Sequence, residues 1–358
     1  MRRTQILVAA LVVVGCGGTS PASEGSGGSG ATPSGGGGGT GGAAPFDAAL
    51  EHTFAPIMVE SGSDDFWCQS WKLNNEEPIY LNKVRQTNDG AWHHSNWFHV
   101  PEDRFAGEDG SWRCADRNFS ELEAAVWGGT IFAQSTQSFE EVQEFPEGTA
   151  LIIPPHSQII GNVHLFNVSA APVETTLTMG FATVEKEDAK TKLREMTFSN
   201  PDIKIPAQRR SRWSQTCDLT DHLGDSVNVY YVLGHYHGWG NYFQLSFVND
   251  DGTETPVVEL DNVGDNLGRT IAPPVNSGGA KKMRYSCGYN NTTDRELVFG
   301  NSGEAEMCVF LAYVDGDRKI AIYPAGNVPE PMGEDEDGVL MFDVPCDKGS
   351  FASIPAND

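Results

Sequence analysis

The sequence predicts an all-β protein built as two tandem antiparallel β-sandwich domains, jelly-roll-like in outline. Three observations carry that reading. Short β-branched or aromatic runs recur along the chain, turn clusters such as Asn249-Asp250-Asp251-Gly252 and Asn276-Ser277-Gly278-Gly279 separate them, and helical periodicity is confined to brief stretches. The size supports doubling: 358 residues, 39% of them hydrophobic and eight of them tryptophan, suffice for two ordinary cores.

The elements follow in chain order. Arg2 and Arg3 precede an apolar run at residues 6–14, too short to cross a bilayer and of the length of a signal-peptide core. Val13-Val14-Gly15-Cys16 then resembles a bacterial lipobox, which implies that residues 1–15 are removed and that Cys16 carries lipid. Residues 16–45, rich in Gly and Ser, read as a flexible tether. Residues 46–188 form the expected first sandwich, with strands at 150–154, 158–168 and 175–184 and a helical stretch at 119–126. The charged passage 185–192 opens a second helix-leaning stretch, 185–196, and marks the boundary. Residues 189–358 form the expected second sandwich, with strands at 227–233, 242–248 and 308–314. The acidic run 330–337 reads as a solvated surface loop.

Charge and cysteines bound the function. A formal net charge of -25 excludes nucleic-acid binding through a basic surface, which needs clustered Lys and Arg. Six cysteines remain after Cys16: Cys68, Cys114, Cys217, Cys287, Cys308 and Cys346. An even number in an exported chain reads as three disulfides, with fifteen pairings open. None of them has the C-x-x-C spacing of a structural zinc site.

The chemistry is concentrated in histidines. His235 and His237 are spaced so that a strand would project both imidazoles from one face, and Met307 adds a thioether farther along the chain. Imidazoles with a thioether suit copper better than zinc or magnesium. His93 and His94 are adjacent, so both reach one ion only at a strand end or a local twist, with His164 as the best-placed third imidazole. His52, His99, His156 and His222 have no partner at a telling spacing and read as structural.

Phe66-Trp67-Cys68, His93-His94, His164, His235-Tyr236-His237, Cys287 with Tyr289, Phe299-Gly300 and Glu306-Met307-Cys308 together resemble the copper type II, ascorbate-dependent monooxygenases. That family includes the peptidylglycine alpha-hydroxylating and dopamine beta-monooxygenases, and the resemblance spans roughly residues 55–350. It implies two coppers per chain in successive β-sandwiches, facing each other across a solvent-filled cleft. His93, His94 and His164 would hold the copper that takes electrons from ascorbate. His235, His237 and Met307 would hold the copper that meets oxygen, making these three the catalytic set. The resemblance also implies the pairings Cys68 with Cys114, Cys217 with Cys346, and Cys287 with Cys308.

Departures from the family pattern bear on substrate. The arginine, asparagine and tyrosine that grip a carboxylate in the peptide-hydroxylating members correspond here to Leu233, Val309 and Leu311. A carboxylate buried there would lack its charged partner, so a non-peptide small molecule is the expected substrate, together with oxygen. Asn162 also replaces a glutamine typical of the peptide enzymes. The competing function is a non-catalytic, surface-tethered copper protein for storage, sensing or delivery. The expected location is the cell envelope, lipid-anchored at the outer membrane, with a monomer assumed.

Overall fold

The structure is a computed structural model and describes residues 46–134, 138–261, 267–302 and 304–355. The signal segment, Cys16 and the tether lie outside the described residues. The residues from Phe46 onward form one compact unit.

The architecture is nearly all β. In the first half, a five-stranded sheet has the order Gly110–Trp112, Asp64–Lys72, Ser157–Phe166, Trp92–Pro101, Gly129–Ala133. Period-two alternation divides its side chains. Ser95, Trp97, Ile159 and Val163 are buried on the side of the facing sheet, where Leu81, Val84, Met179 and Phe181 complete a core. Phe98 and Ile160 point to the opposite face and pack with Phe105, Trp112 and Ala124. Gly161 is obligatory in this arrangement, because a Cβ there would stand 2.6 Å from the Trp97 ring. The face carrying Phe98 and Ile160 also carries His94, Asn96, Asn162 and His164.

The second half repeats the plan. One sheet has the order Gly268–Asn276, Asn228–His235, Val309–Val314, Arg194–Ser199, Arg318–Tyr323, Ser350–Pro355. Its partner runs Glu254–Asp261, Gly240–Val248, Lys282–Asn291, Arg209–Asp218, Leu340–Val344, Glu330–Glu334. Met196, Phe198 and Phe310 from the first interdigitate with Trp213, Phe243 and Tyr285 from the second. The chain passes from one pair of sheets to the other around Leu193: Thr191–Lys192 pairs with Thr149–Ile153, and Arg194–Ser199 pairs with Val309–Val314.

Three sequence expectations change, and one helix forms where it is expected. The stretch 185–196 is no helix: after a turn it enters strands at Thr191–Lys192 and Arg194–Ser199, because Leu193, Met196 and Phe198 are drawn into cores where strand neighbours already wait. The helix expected at 119–126 forms as Glu121–Trp127, capped by Ser120, whose hydroxyl accepts from the Glu123 N–H at 3.4 Å. The acidic run is not all loop. Glu330–Glu334 is an exposed edge strand paired with Leu340–Val344, its charges facing water as an edge requires. The pairing is also mixed, since Arg194–Ser199 with Arg318–Tyr323 and Arg209–Asp218 with Leu340–Val344 are parallel.

The halves do not have separate interiors. On one face of the Asn228–His235 strand, Tyr231, Leu233 and His235 lie opposite Tyr313, Leu311 and Val309 of the neighbouring strand. The first four of those apolar side chains, Tyr231, Leu233, Leu311 and Tyr313, are buried in the core of the first sandwich. Phe145 meets Tyr313 edge-on at 4.9 Å, and the Tyr313 hydroxyl donates to the Thr130 carbonyl at 3.0 Å.

Candidate metal centre

His94 and His164 are register partners on adjacent antiparallel strands. The next paired residues are Trp92 and Leu165, so His93 is the extra residue of a β-bulge. A bulge removes the strict alternation that would send neighbouring side chains to opposite faces, and here both imidazoles turn the same way. The Nδ1 atoms of His93 and His94 stand 2.9 Å apart, and the ring of His164 lies 4.8 Å and 4.9 Å from theirs. The irregularity needed for adjacent ligands is therefore present.

The second set is built differently from the strand expectation. His235 ends its strand, but His237 lies beyond it, in the connection leading to Gly240–Val248. What places His237 is Glu306. Its carboxylate is fully buried and accepts from the N–H groups of His237 and Trp239, each at 2.8 Å, and from Met307 at 3.2 Å. One side chain thus ties the histidine turn to the methionine segment. The Tyr289 hydroxyl donates to the Met307 carbonyl at 2.6 Å, and the Cys287–Cys308 disulfide joins the same two segments. Disulfides Cys68–Cys114 and Cys217–Cys346 are formed as well.

Hydrogen bonding leaves one buried nitrogen free on two of the rings. A carbonyl oxygen can only accept, so the 2.9 Å contact between His237 Nδ1 and the Ala305 carbonyl puts the proton on Nδ1. Nε2 of His237 is then a bare lone pair, buried and without a hydrogen-bond partner. His164 is the mirror case: its Nε2 is bonded to the Asp64 carboxylate, and its Nδ1 is buried and unpartnered. Phe66 stacks on the His164 ring at 4.2 Å. Buried, unpaired nitrogens are costly unless something completes them, and a hydrogen-bond acceptor on the opposite nitrogen is how metal-binding imidazoles are oriented.

Electrostatics agrees. Burial, and then the neighbouring imidazoles His164 and His237, lower the pKa of His93 to about 4. His235 is lowered to about 3 by burial and by His237 and His93, and burial holds His94 well below the ordinary value. These rings are neutral at neutral pH, the form that binds a metal. Glu306 is pushed up to about 7 by burial, against the pull of its backbone donors.

Two groups of three ligand atoms, His93 with His94 and His164, and His94 with His235 and His237, each lie within 4.8 Å of one another. Five imidazoles and a nearby thioether make a donor set that fits copper. Beside them is a cavity of about 450 Å³ between the halves, lined by His94, His235 and Met307 at the histidine cluster and by Leu233, Val309 and Leu311 along one wall.

Residues 191–319 match the family model described as copper type II ascorbate-dependent monooxygenase, C-terminal domain. That segment belongs to this family. The match takes in His235, His237 and Met307, while the first histidine set lies upstream of it and rests on geometry. None of the curated proteins matches the chain. Among solved structures, the chain is similar to the PBSX exported protein XepA at 7% identity, covering 75% of this chain and 88% of that one, with a TM-score of 0.21. It is similar to PNGase F, a glycosylasparaginase from Flavobacterium meningosepticum, at 8% identity over 74% and 96% of the two chains, with a TM-score of 0.30. Likenesses this distant carry no argument about function.

The two histidine sets differ from the expected layout in one respect. The resemblance implies two metal sites separated by a solvent-filled cleft, whereas the His94 ring lies 5.5 Å from His235 and 5.9 Å from His237. Two residues that position the histidines were not singled out from the sequence. Asp64 is one hundred residues from His164 and gives no local signal; Glu306 stands in the Glu-Met-Cys run but showed no role until its backbone partners were visible.

Proposed function

We propose that the chain is a copper-dependent monooxygenase that hydroxylates a C–H bond of a non-peptide small molecule, using oxygen and a reductant such as ascorbate. The substrate R–H, O₂, two electrons and two protons become R–OH and water. The observation that carries this reading is the pair of buried, unpartnered nitrogens on His164 and His237, one in each half, next to a cavity large enough for a small organic molecule. Bound copper would supply the one-electron redox steps and the activation of oxygen.

The chain's own residues do the rest. His93, His94 and His164 would hold one ion, and His235, His237 and Met307 the other. Asp64 and the Ala305 carbonyl fix ring orientation, and Glu306 holds the His237 and Met307 segments together. The wall formed by Leu233, Val309 and Leu311 keeps water from the reacting C–H bond and offers no partner to a substrate carboxylate. Lys319 also lines the cavity, but its ammonium is engaged by the Gly128 carbonyl and lies 3.7 Å from Glu195. Export and attachment through Cys16 belong to the same proposal, supported by three disulfides that suit an oxidising compartment.

The experiment is a comparison of turnover by copper-loaded protein with ascorbate on a peptide ending in glycine and on a panel of neutral aromatic molecules. Hydroxylation within the panel and not of the peptide is expected. Efficient hydroxylation of the peptide would overturn the substrate assignment, and copper uptake with no substrate-dependent oxygen use would favour a storage or delivery protein.

A further inference from the structure

The cavity beside the histidines is bordered by a carboxylate that belongs to neither ligand set. Glu121 opens the helix Glu121–Trp127 and lines the cavity. Two asparagines hold it there: the side-chain amides of Asn96 and Asn162 donate to the same oxygen, Oε1, at 3.1 Å and 3.0 Å. Asn96 and Asn162 are register partners, two residues along from the pair His94 and His164 on the same two strands. Alternation puts both pairs on one face of the sheet, with about 7 Å between the rungs. The other oxygen, Oε2, meets no hydrogen-bond donor and no cation among the described residues. Burial raises the Glu121 pKa against the pull of the two amides, so a further donor on the carboxylate would stabilise it. Leu233, Val309, Leu311, Ile320 and Ile322 make much of the remaining wall. The carboxylate thus leaves one acceptor oxygen over in a largely apolar chamber, one rung from the histidines.

We propose that Glu121 is a specificity residue that receives the hydroxyl group of an uncharged, otherwise apolar substrate. The inference rests on the monooxygenase reading, which makes the cavity a substrate site, and narrows the substrate from a non-peptide molecule to an alcohol. Oε2 accepts the hydroxyl hydrogen while the carbon skeleton lies along Leu233 and Leu311. The rung spacing sets the reach, so that a skeleton on the order of a benzene ring separates the hydroxyl from the carbon nearest the histidines. The charged alternatives fit less well. An anion would face the carboxylates of Glu121 and Glu195, both on the cavity wall. An ammonium would give up its hydration on entering and share the cavity with the Lys319 charge, which Glu195 already accompanies at 3.7 Å. A hydroxyl carries neither cost. A site that accepts a hydroxyl hydrogen also rejects an analogue lacking it, because its own acceptor is then left without a donor.

The test measures binding to the copper-free full chain, by isothermal titration calorimetry, of 4-ethylbenzyl alcohol, its methyl ether and 4-ethylbenzylamine. Wild type is expected to bind the alcohol about 10- to 100-fold more tightly than the ether, the usual worth of a hydrogen bond to a charged group. Glu121→Gln keeps an acceptor for Asn96 and Asn162 but puts an amide nitrogen where Oε2 stood. It is expected to collapse that ratio while leaving affinity for the ether unchanged. Equal affinities for alcohol and ether in wild type would overturn the assignment, and this comparison needs no variant to fold. A ratio that survives in Glu121→Gln, tighter binding of the amine than of the alcohol, or no binding of any probe would overturn it too. Copper uptake by the same preparations reports on the monooxygenase reading separately: Glu121-dependent alcohol binding by a chain that takes up no copper would sink that reading alone.

Discussion

Glu306 joins the two segments that carry His237 and Met307 through a single buried side chain. Backbone N–H groups of His237, Trp239 and Met307 end on its buried carboxylate, and so the two segments that carry His237 and Met307 meet there. Replacing it with alanine strands buried donors at about 1–3 kcal/mol each. Glu306→Ala is expected to lower unfolding stability of the copper-free protein by about 3 kcal/mol or more, while Glu306→Gln, which keeps an acceptor oxygen, costs less. Urea denaturation of the two variants measures this; a loss under about 1 kcal/mol for alanine would contradict the bridging role. At this scale the sequence was readable where chemistry announces itself in spacing, as in His235 with His237. It was unreadable where the partner is distant, as with Asp64, or where the partners are backbone amides, as with Glu306.

At the scale of elements, the centre depends on two departures from regular β-structure. The bulge at His93 turns adjacent imidazoles the same way, and the turn after His235 carries His237 off the strand. Sequence analysis anticipated that the first pair needed an irregularity, because alternation forbids adjacent ligands on a regular strand. It misplaced the second pair, because the i, i+2 spacing fits a strand as well as a strand end with a turn. The misread stretch 185–196 has a similar cause: its charges favour a helix locally, yet Leu193, Met196 and Phe198 gain more by entering two existing cores. The Cys287–Cys308 disulfide closes a loop of about twenty residues, for which chain entropy gives about 3 kcal/mol. A Cys287→Ala/Cys308→Ala double variant is expected to lose about that much stability and to bind the second copper more weakly. An unchanged copper affinity by chelator competition would show that Tyr289 and Glu306 alone suffice to place Met307.

At the scale of the whole molecule, the seam between the sandwiches decides what the histidines can do. Two sandwiches were legible from strand patterning. Their shared interior was not, because nothing in the pattern around Tyr231, Leu233, Leu311 and Tyr313 distinguishes a side chain buried in its own sandwich from one buried in the neighbouring one. His99 lies at this seam, next to Gly129 and facing Lys319. Burial first, and then the Lys319 charge, lower its pKa to about 3. In the unfolded chain the value is about 6.5, so between roughly pH 6.5 and 3 the unfolded state binds a proton that the folded state does not. Folding stability therefore falls as the pH drops through that window and is intact above it. Copper-free wild type is expected to lose about 1–2 kcal/mol more than His99→Asn between pH 7.5 and pH 5. Equal slopes in urea titrations would remove His99 from the account.

The most direct test of the central claim is isotopic. Copper-loaded protein supplied with ascorbate, a substrate found by screening and ¹⁸O₂ is expected to give product carrying one ¹⁸O atom, with formation abolished in His237→Ala and Met307→Ala. Product oxygen drawn from water, or equal product from those variants, would contradict the assignment of this centre as an oxygen-activating copper site.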